Sequence, residues 1–447
     1  MAWFGRKKDA PKKDAPQVEE TDTPQVKEAL EPEEIVEEKS LPEAPGLNEA
    51  GFRSMSDHRD YLLGLVEPLN PFGMSSLEAL NQVLCEDLSS LIDVPAHSTA
   101  LVAGYAVRAA DLVDDEGQRV ETMDIVTDAD ERLPLGGALE VAPGDRLPRG
   151  ASAVLPSTYV AEEGELLRVF EKVAEGEYIR AAGEHLSAGE PLLKAGDVLG
   201  VREIGLLAGA GIDKVFVRPR PRVVVIGSGE GLVEPSEHSD DTNAIDVNSY
   251  LIAAAARAAG AQVFHHVVST SDPDQLARAV TDQLIRADLV ISTTGGRRQD
   301  YETMAETMQK IGRVDSAEVA TTPGRTQTFG LVGPDGTPML MLPGNPVSAY
   351  VSFQAFGWPL IKKLAGSNPE RKLHRGIATA TLRSTKGQTH LLRGTVTNQS
   401  GINRVSAVSE PHALRELANS NVLIVLDEDV ELVNAGENVW YWQLDED

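Results

Sequence analysis

The sequence predicts a multidomain chain of α/β plus β class, built around a doubly wound parallel sheet. Three observations carry that expectation. Between residues 221 and 366, short apolar strands alternate with helices of about three turns, the rhythm of a parallel sheet covered on both faces. From 95 to 178 and again from 367 to 447, apolar residues recur at strand spacing between Gly, Pro and Asp, without helical period. Residues 49–94 and 179–220 have helix and turn character and read as one linker domain into which the first β region is inserted.

The chain has 447 residues, room for three or four domains. Its net charge of −28 argues against a nucleic-acid partner. No run of 18 apolar residues occurs, so no membrane span is expected, and Met1 to Lys8 lacks the apolar core of a signal peptide. The single cysteine, Cys85, excludes an internal disulfide framework and points to the cytosol; its apolar surroundings favour a core thiol over a nucleophile.

In order, residues 1–48 read as a disordered charged tail, basic around Trp3, Phe4, Arg6, Lys7 and Lys8 and acidic over 17–44. A solvated tail is expected ahead of a hook for an anionic membrane surface. Helical period begins near Ser56, with Asp57 and Asp60 ahead of Tyr61-Leu62-Leu63, and a second helix is expected over 76–86. Gly189, Gly196, Gly205 and Gly209 punctuate the second half of the linker.

The 221–366 region opens with a strand at 222–226 that runs into a glycine turn. A helix over 248–259, a strand over 262–268 and a helix over 272–287 follow. The next strand ends in Gly295-Gly296, and a helix over 300–311 is closed by Gly312. The strand 338–342 then enters Pro343-Gly344-Asn345-Pro346. Asn345 is placed as an N-cap and Pro346 as the first residue of a helix running towards Lys363. Pro343 and Gly344 let the backbone approach a ligand, and the free N–H groups of the helix start favour an anion; an ordinary strand-to-helix corner has the same residues. Ligands of such sheets sit beyond the C-terminal strand ends, so the turns at 227–231, 295–300 and 343–346 predict a pocket on one rim. The last region reads as strands at 376–382, 390–396, 403–407, 422–426 and 438–442, with a short helix over 413–418.

Four stretches resemble one family: Gly104-Tyr105-Ala106-Val107-Arg108, Ile179-Arg180-Ala181-Ala182-Gly183-Glu184, Asp246-Val247-Asn248-Ser249-Tyr250 and Leu342-Pro343-Gly344-Asn345-Pro346-Val347-Ser348-Ala349. They are similar to MoeA, the molybdopterin molybdenumtransferase, and to the E domain of the eukaryotic scaffold gephyrin, over residues 50–445. The resemblance implies an elongated homodimer in which 221–366 is a MogA-like domain and the active site lies between it and the inserted domain of the other subunit. It implies insertion of molybdate into adenylylated molybdopterin, with Mg²⁺ and release of AMP.

Set against the family pattern, several charged groups are missing. The carboxylate expected before Gly104 is Ala103, and the Asp of the family's Gly-Ala-Asp-Ala-Val is Ser152. Glu230 stands where the family has Asp, with a longer reach. The family's Gly-Gly-Val-Ser-Val-Gly-Asp-Tyr becomes Gly295-Gly296-Arg297-Arg298-Gln299-Asp300-Tyr301, one residue shorter, which predicts a displaced Asp300. One family lysine is Thr322, while Arg325 keeps a cation. The resemblance therefore implies vestigial catalytic residues Glu184, Glu230 and Asp300, with Glu230 and Asp300 as the metal ligands. It implies substrate contacts at Gly295, Gly296, Arg297, Arg325, Pro343, Gly344, Asn345, Pro346 and Ser348. Losing one charged transition-state contact costs about 10²–10³ in rate.

The main expectation is thus a gephyrin-like dimeric scaffold with a degraded site, cytoplasmic and recruited to the inner face of the membrane. By analogy it would link a membrane receptor's cytoplasmic segment to a cytoskeletal protein, with the short peptide of the division protein FtsZ as the candidate. The binding groove implied by gephyrin runs between Tyr61 and Leu62 on one wall and Val425 and Leu426 on the other. The alternative is the active transferase, holding Mg²⁺, molybdopterin and molybdate; the scaffold needs no cofactor.

Overall fold

A computed structural model describes residues 40–114, 117–127, 132–236, 243–410 and 413–444. The expected tail lies outside the described residues up to position 39. Within its described end, the Pro42 carbonyl accepts a hydrogen bond from the Tyr61 hydroxyl at 3.2 Å.

The central sheet has six strands in the spatial order Gln262–Val268, Arg222–Ser228, Leu289–Thr294, Thr337–Leu342, Thr326–Val332 and Gly312–Glu318. The first four run parallel. Side chains alternate between two cores, as strand geometry requires. Val223, Val225, Leu289, Ile291, Leu340 and Leu342 face the helix Asn248–Ala258 and the helical run 346–364. Val224, Ile226, Val290, Met339 and Met341 face the helices Pro273–Leu284 and Arg298–Ile311. Both faces are covered, which is why these strands read as unbroken apolar runs.

The last two strands pair antiparallel, so the sheet is mixed rather than wholly parallel. Gly312 does not close a helix in a left-handed turn; its backbone is extended and it opens a strand. A Cβ there would lie 2.3 Å from the Leu331 carbonyl oxygen, so glycine lets the hairpin strands meet. The second correction concerns 76–86, which forms turns instead of a helix. Asn81 takes a left-handed conformation with φ 63°, and Val83 and Leu84 then bridge to Val198 and Val217. Leu77 stays exposed while Ala79 and Leu84 are buried, so spacing that imitates a helix face is split between solvent and core.

The inserted region folds as a six-stranded sheet ordered Ala153–Pro156, Gly104–Val107, Gly137–Val141, Thr122–Val126, Leu166–Val169 and Val160–Glu163. Its core includes Tyr105, Leu155 and Leu167. The linker joins short antiparallel pairs to the helix Val201–Gly209. In the C-terminal region, strand Thr389–Gln399 pairs with both Ile402–Ala407 and Val422–Leu426. With Leu373–Ala378 and Asn438–Gln443 this closes a five-stranded ring. Among the described residues, no helix is long and apolar enough to cross a membrane.

Candidate functional site

The three turns anticipated at the C-terminal strand ends do meet. Gly295 N–H donates to the Ser228 carbonyl at 2.9 Å, joining the first two turns. Gly344 lies directly on Gly295 and Gly296: a Cβ on Gly344 would be 2.3 Å from the Gly295 carbonyl oxygen. Asn248, buried at the start of its helix, donates from Nδ2 to the Thr294 carbonyl at 3.0 Å and to the Gly344 carbonyl at 2.7 Å. Its Oδ1 is buried without a protein partner.

Asp300 sits in the first turn of the helix Arg298–Ile311 and is only 7% exposed. Its Oδ1 accepts from the Ser271 hydroxyl at 3.1 Å. Its Oδ2 packs against the glycine turns, 2.9 Å from where a Gly295 Cβ would stand and 3.3 Å from the equivalent point at Gly229. The shortened loop therefore does not carry Asp300 away from the rim. Arg297 and Glu230 face each other across the opening, Nη1 to Oε2 at 3.5 Å, with side chains 61% and 75% exposed. Exposed pairs of this kind are worth well under about 1 kcal/mol, so an incoming anion can take Arg297 from Glu230.

A second polar chain lies beneath the rim. Asp246 Oδ1 accepts from Ser249 N–H at 3.0 Å, and its Oδ2 accepts from the Ser249 hydroxyl, which also contacts His265 Nε2. Burial holds His265 below its usual value, against the pull of Asp246 and Glu234. A Cβ on Gly227 would collide with Asp246 Oδ2 at 2.1 Å, so the strand end is built around this carboxylate.

Asn345 caps its helix as expected, accepting from Val347 N–H and Ser348 N–H, both at 3.1 Å, and Pro346 occupies the first turn. The cap uses two of the donors an anion would need. Ser348 Oγ also turns to Asn345, at 3.4 Å.

Other anticipated groups are placed elsewhere. Glu184 accepts from Ala181 N–H at 2.8 Å within a turn paired to Val94 and Pro95. Among the described residues, no hydrogen bond or ion pair joins it to the rim. Arg325 stacks on Phe52, its guanidinium carbon 4.8 Å from the ring centre. The adjoining Gly324 packs on Ser352, where a Cβ would be 2.2 Å from the hydroxyl. The groove assignment is corrected: Leu62, Val425 and Leu426 are 1%, 7% and 2% exposed. Leu62 and Val425 share the core beneath the central sheet, and Leu426 fills the C-terminal barrel. Tyr61 is half-buried, with Arg53 stacked on its ring at 5.3 Å. Leu62, Val425 and Leu426, so enclosed, have no surface left for a partner, whereas Tyr61 stays partly exposed.

Among the described residues no group of three or more His, Cys, Asp or Glu could hold a metal. One buried carboxylate, Asp300, with exposed Glu230 fits Mg²⁺ only in the mode where substrate phosphates and water supply most of the oxygen ligands. Ser271 and Asn248 were not anticipated as site residues. The acid-x-Asn pattern at 246–248, directly before a helix, was the available signal for Asn248; Ser271 had none.

A two-faced α/β sheet with a glycine-built rim, an inserted β sheet and a closed β ring define a multidomain protein of α/β plus β class. Three family models match it: the MoeA N-terminal region (domain I and II) over residues 53–211, the probable molybdopterin binding domain over 224–363, and the MoeA C-terminal region (domain IV) over 375–444. The chain belongs to the MoeA family. It is 30% identical over 416 residues to molybdopterin molybdenumtransferase 1 of Mycobacterium tuberculosis, covering 87% of this chain and 98% of that one. It is 30% identical over 409 residues to molybdopterin molybdenumtransferase 2 of the same organism, covering 88% and 100%. The crystal structure of a molybdopterin biosynthesis MoeA protein from Pyrococcus horikosii has the same fold, with TM-score 0.76 at 21% identity over 88% of this chain and 99% of that one.

Proposed function

We propose that the glycine rim binds molybdopterin through its phosphate and that the chain is a molybdopterin molybdenumtransferase of reduced turnover. The observation that carries this is Asp300, a buried carboxylate held by Ser271 between Gly229 and Gly295, beside a cation that a weak ion pair leaves available. Arg297 holds the phosphate together with rim N–H groups other than those of Gly229 and Gly295, which are bonded to Val268 and Ser228. Asp300 and Glu230 would hold Mg²⁺, which would supply positive charge to the anionic substrates. The carboxylates missing at Ala103 and Ser152 set the expected deficit, about 10²–10³ for each lost contact. A homodimer belongs to this proposal, because the inserted domain would close the partner's rim; a monomer by light scattering at micromolar concentration refutes it.

The scaffold reading has support neither from the buried groove residues nor from the relatives, which are named as transferases. The test supplies adenylylated molybdopterin, molybdate and Mg²⁺ to the purified chain and measures bound pterin and released AMP. Saturable binding with slow AMP release is expected. No binding overturns the proposal, and AMP release at the rate of a relative with both carboxylates overturns the deficit.

A further inference from the structure

A cleft of about 800 Å³ opens where the linker, the α/β domain and the C-terminal region meet. It lies at the opposite end of the central sheet from the rim. It is lined by Gly260, past the C-terminus of the helix that Asn248 begins, and by Arg218 and Arg220, just before the strand that ends at Ser228. Seven residues of strand separate the two regions by about 20 Å.

In a chain of net charge −28 this cleft is cationic. Arg218, Arg220, Lys362, Arg371 and Lys372 line it, against one acid, Glu370. The side chains are held in place. Arg218 donates to the Leu69 carbonyl and is packed under Gly366, where a Cβ would be 2.2 Å from its Cδ. Arg220 donates to the Leu80 carbonyl at 3.1 Å. Lys362 and Arg371 both lie over Trp358, at 5.3 and 4.2 Å from the ring centre. Arg371 donates to two neutral acceptors, the Gln354 amide and the Gln443 carbonyl, and its Nε is buried without a partner. Burial pushes its guanidinium down to about 10, opposed by Tyr350.

Two helices end at the cleft, Asn248–Ala258 and Trp358–Leu364. Their dipoles account for part of the positive charge, but each is worth about half a negative charge. Five cations less one carboxylate give +4, and two helix ends leave about +3. A half-buried guanidinium with its Nε enclosed and no carboxylate partner is also costlier to keep than a solvated surface arginine.

We propose that this cleft binds a small soluble polyphosphate anion, recognised by the forked guanidiniums of Arg218, Arg220 and Arg371 together with Lys362 and Lys372. The proposal is independent of what the rim does. The probe is sodium tripolyphosphate, titrated calorimetrically into the full chain, with inorganic phosphate, citrate and anionic lipid vesicles as parallel arms. Saturable binding of one tripolyphosphate per chain is expected, tighter than phosphate or citrate and weaker as salt rises. Arg220→Gln with Lys372→Gln should weaken it at least about tenfold. Arg371→Met should weaken it similarly while leaving the unfolding temperature unchanged or higher, which a purely structural arginine would not do. Arg297→Gln at the rim should leave it unchanged. Three outcomes overturn the proposal: no saturable binding, loss of binding on Arg297→Gln alone, or unchanged binding in both cleft variants. Citrate binding as tightly as tripolyphosphate overturns the phosphate class, and binding of vesicles but not of tripolyphosphate overturns the soluble ligand.

Discussion

Acidification should unfold this chain partly through one residue, His58. It lies in the helix Met55–Gly64, 1% exposed, with its Nδ1 3.0 Å from Arg53 Nη1 and its ring edge-on to Phe356 at 5.0 Å. Arg53 in turn holds Asp315 with two hydrogen bonds, at 2.7 and 3.2 Å. Burial first, then Arg53, lowers His58 from 6.5 to about 4, with Asp315 pulling weakly the other way. The reason is geometric: a guanidinium only donates, so the neutral ring accepts at Nδ1 and carries its proton on the buried, unpartnered Nε2, and a second proton would have to enter at Nδ1, against the Arg53 guanidinium. The unfolded chain therefore binds the proton more tightly, and stability falls as pH drops through 6.5, the loss being complete near 4. The full effect is about 3 kcal/mol, of which about 2.5 kcal/mol develops between about pH 7.5 and 4.5. The assay is urea unfolding of the wild type and His58→Gln at both pH values. Other titrating groups act equally on both chains, so they cancel in the difference. Wild type should lose about 2.5 kcal/mol relative to the variant on acidification. An unchanged gap between the two would show that His58 titrates as if in water.

Three further outcomes follow from packing and charge. Gly344→Ala places a Cβ 2.3 Å from the Gly295 carbonyl oxygen, backbone against backbone, and should cost about 1–3 kcal/mol of unfolding free energy and weaken pterin binding together. Leu62→Ala empties a fully buried core position and should cost about 2–5 kcal/mol by chemical denaturation; a neutral change would revive a surface role for that helix. Ala103→Asp combined with Ser152→Asp should raise AMP release by about 10² or more at unchanged stability. Ala103 contributes its carbonyl, to Ser157 at 3.1 Å, and the Ser152 oxygen accepts from Ala109 N–H at 3.0 Å, a role a carboxylate retains.

What the sequence made legible was what local pattern controls. The alternation that divides 222–228, 289–294 and 337–342 between two cores is visible residue by residue, and so is the Asn345-Pro346 cap. What it hid depends on distant contacts. The strand Gly312–Glu318 carries Arg313, Asp315 and Ser316, which look like surface. Asp315 is drawn inward by Arg53, 262 residues away, and no local window contains that partner. The groove residues failed for the opposite reason. Val422–Leu426 is an unbroken apolar strand, the pattern of burial on both faces. Leu423 and Val425 serve one core while Val422, Ile424 and Leu426 serve the other. The residues themselves have the pattern of core packing, and only the likeness to gephyrin places them at a partner.

The same distinction governs how the rim should be weighed. Its glycines are required by packing whether or not any chemistry takes place: Gly344 must clear the Gly295 carbonyl, Gly295 must clear Asp300, and Gly227 must clear Asp246. A frame that the fold itself demands would persist in a retired site as readily as in a working one. Asp300 is different. A carboxylate 7% exposed and held by a serine hydroxyl loses hydration that the surrounding sheet does not need it to give up, and an apolar residue would pack there at lower cost. The retained acid, more than the retained glycines, is the reason to look for turnover at this rim.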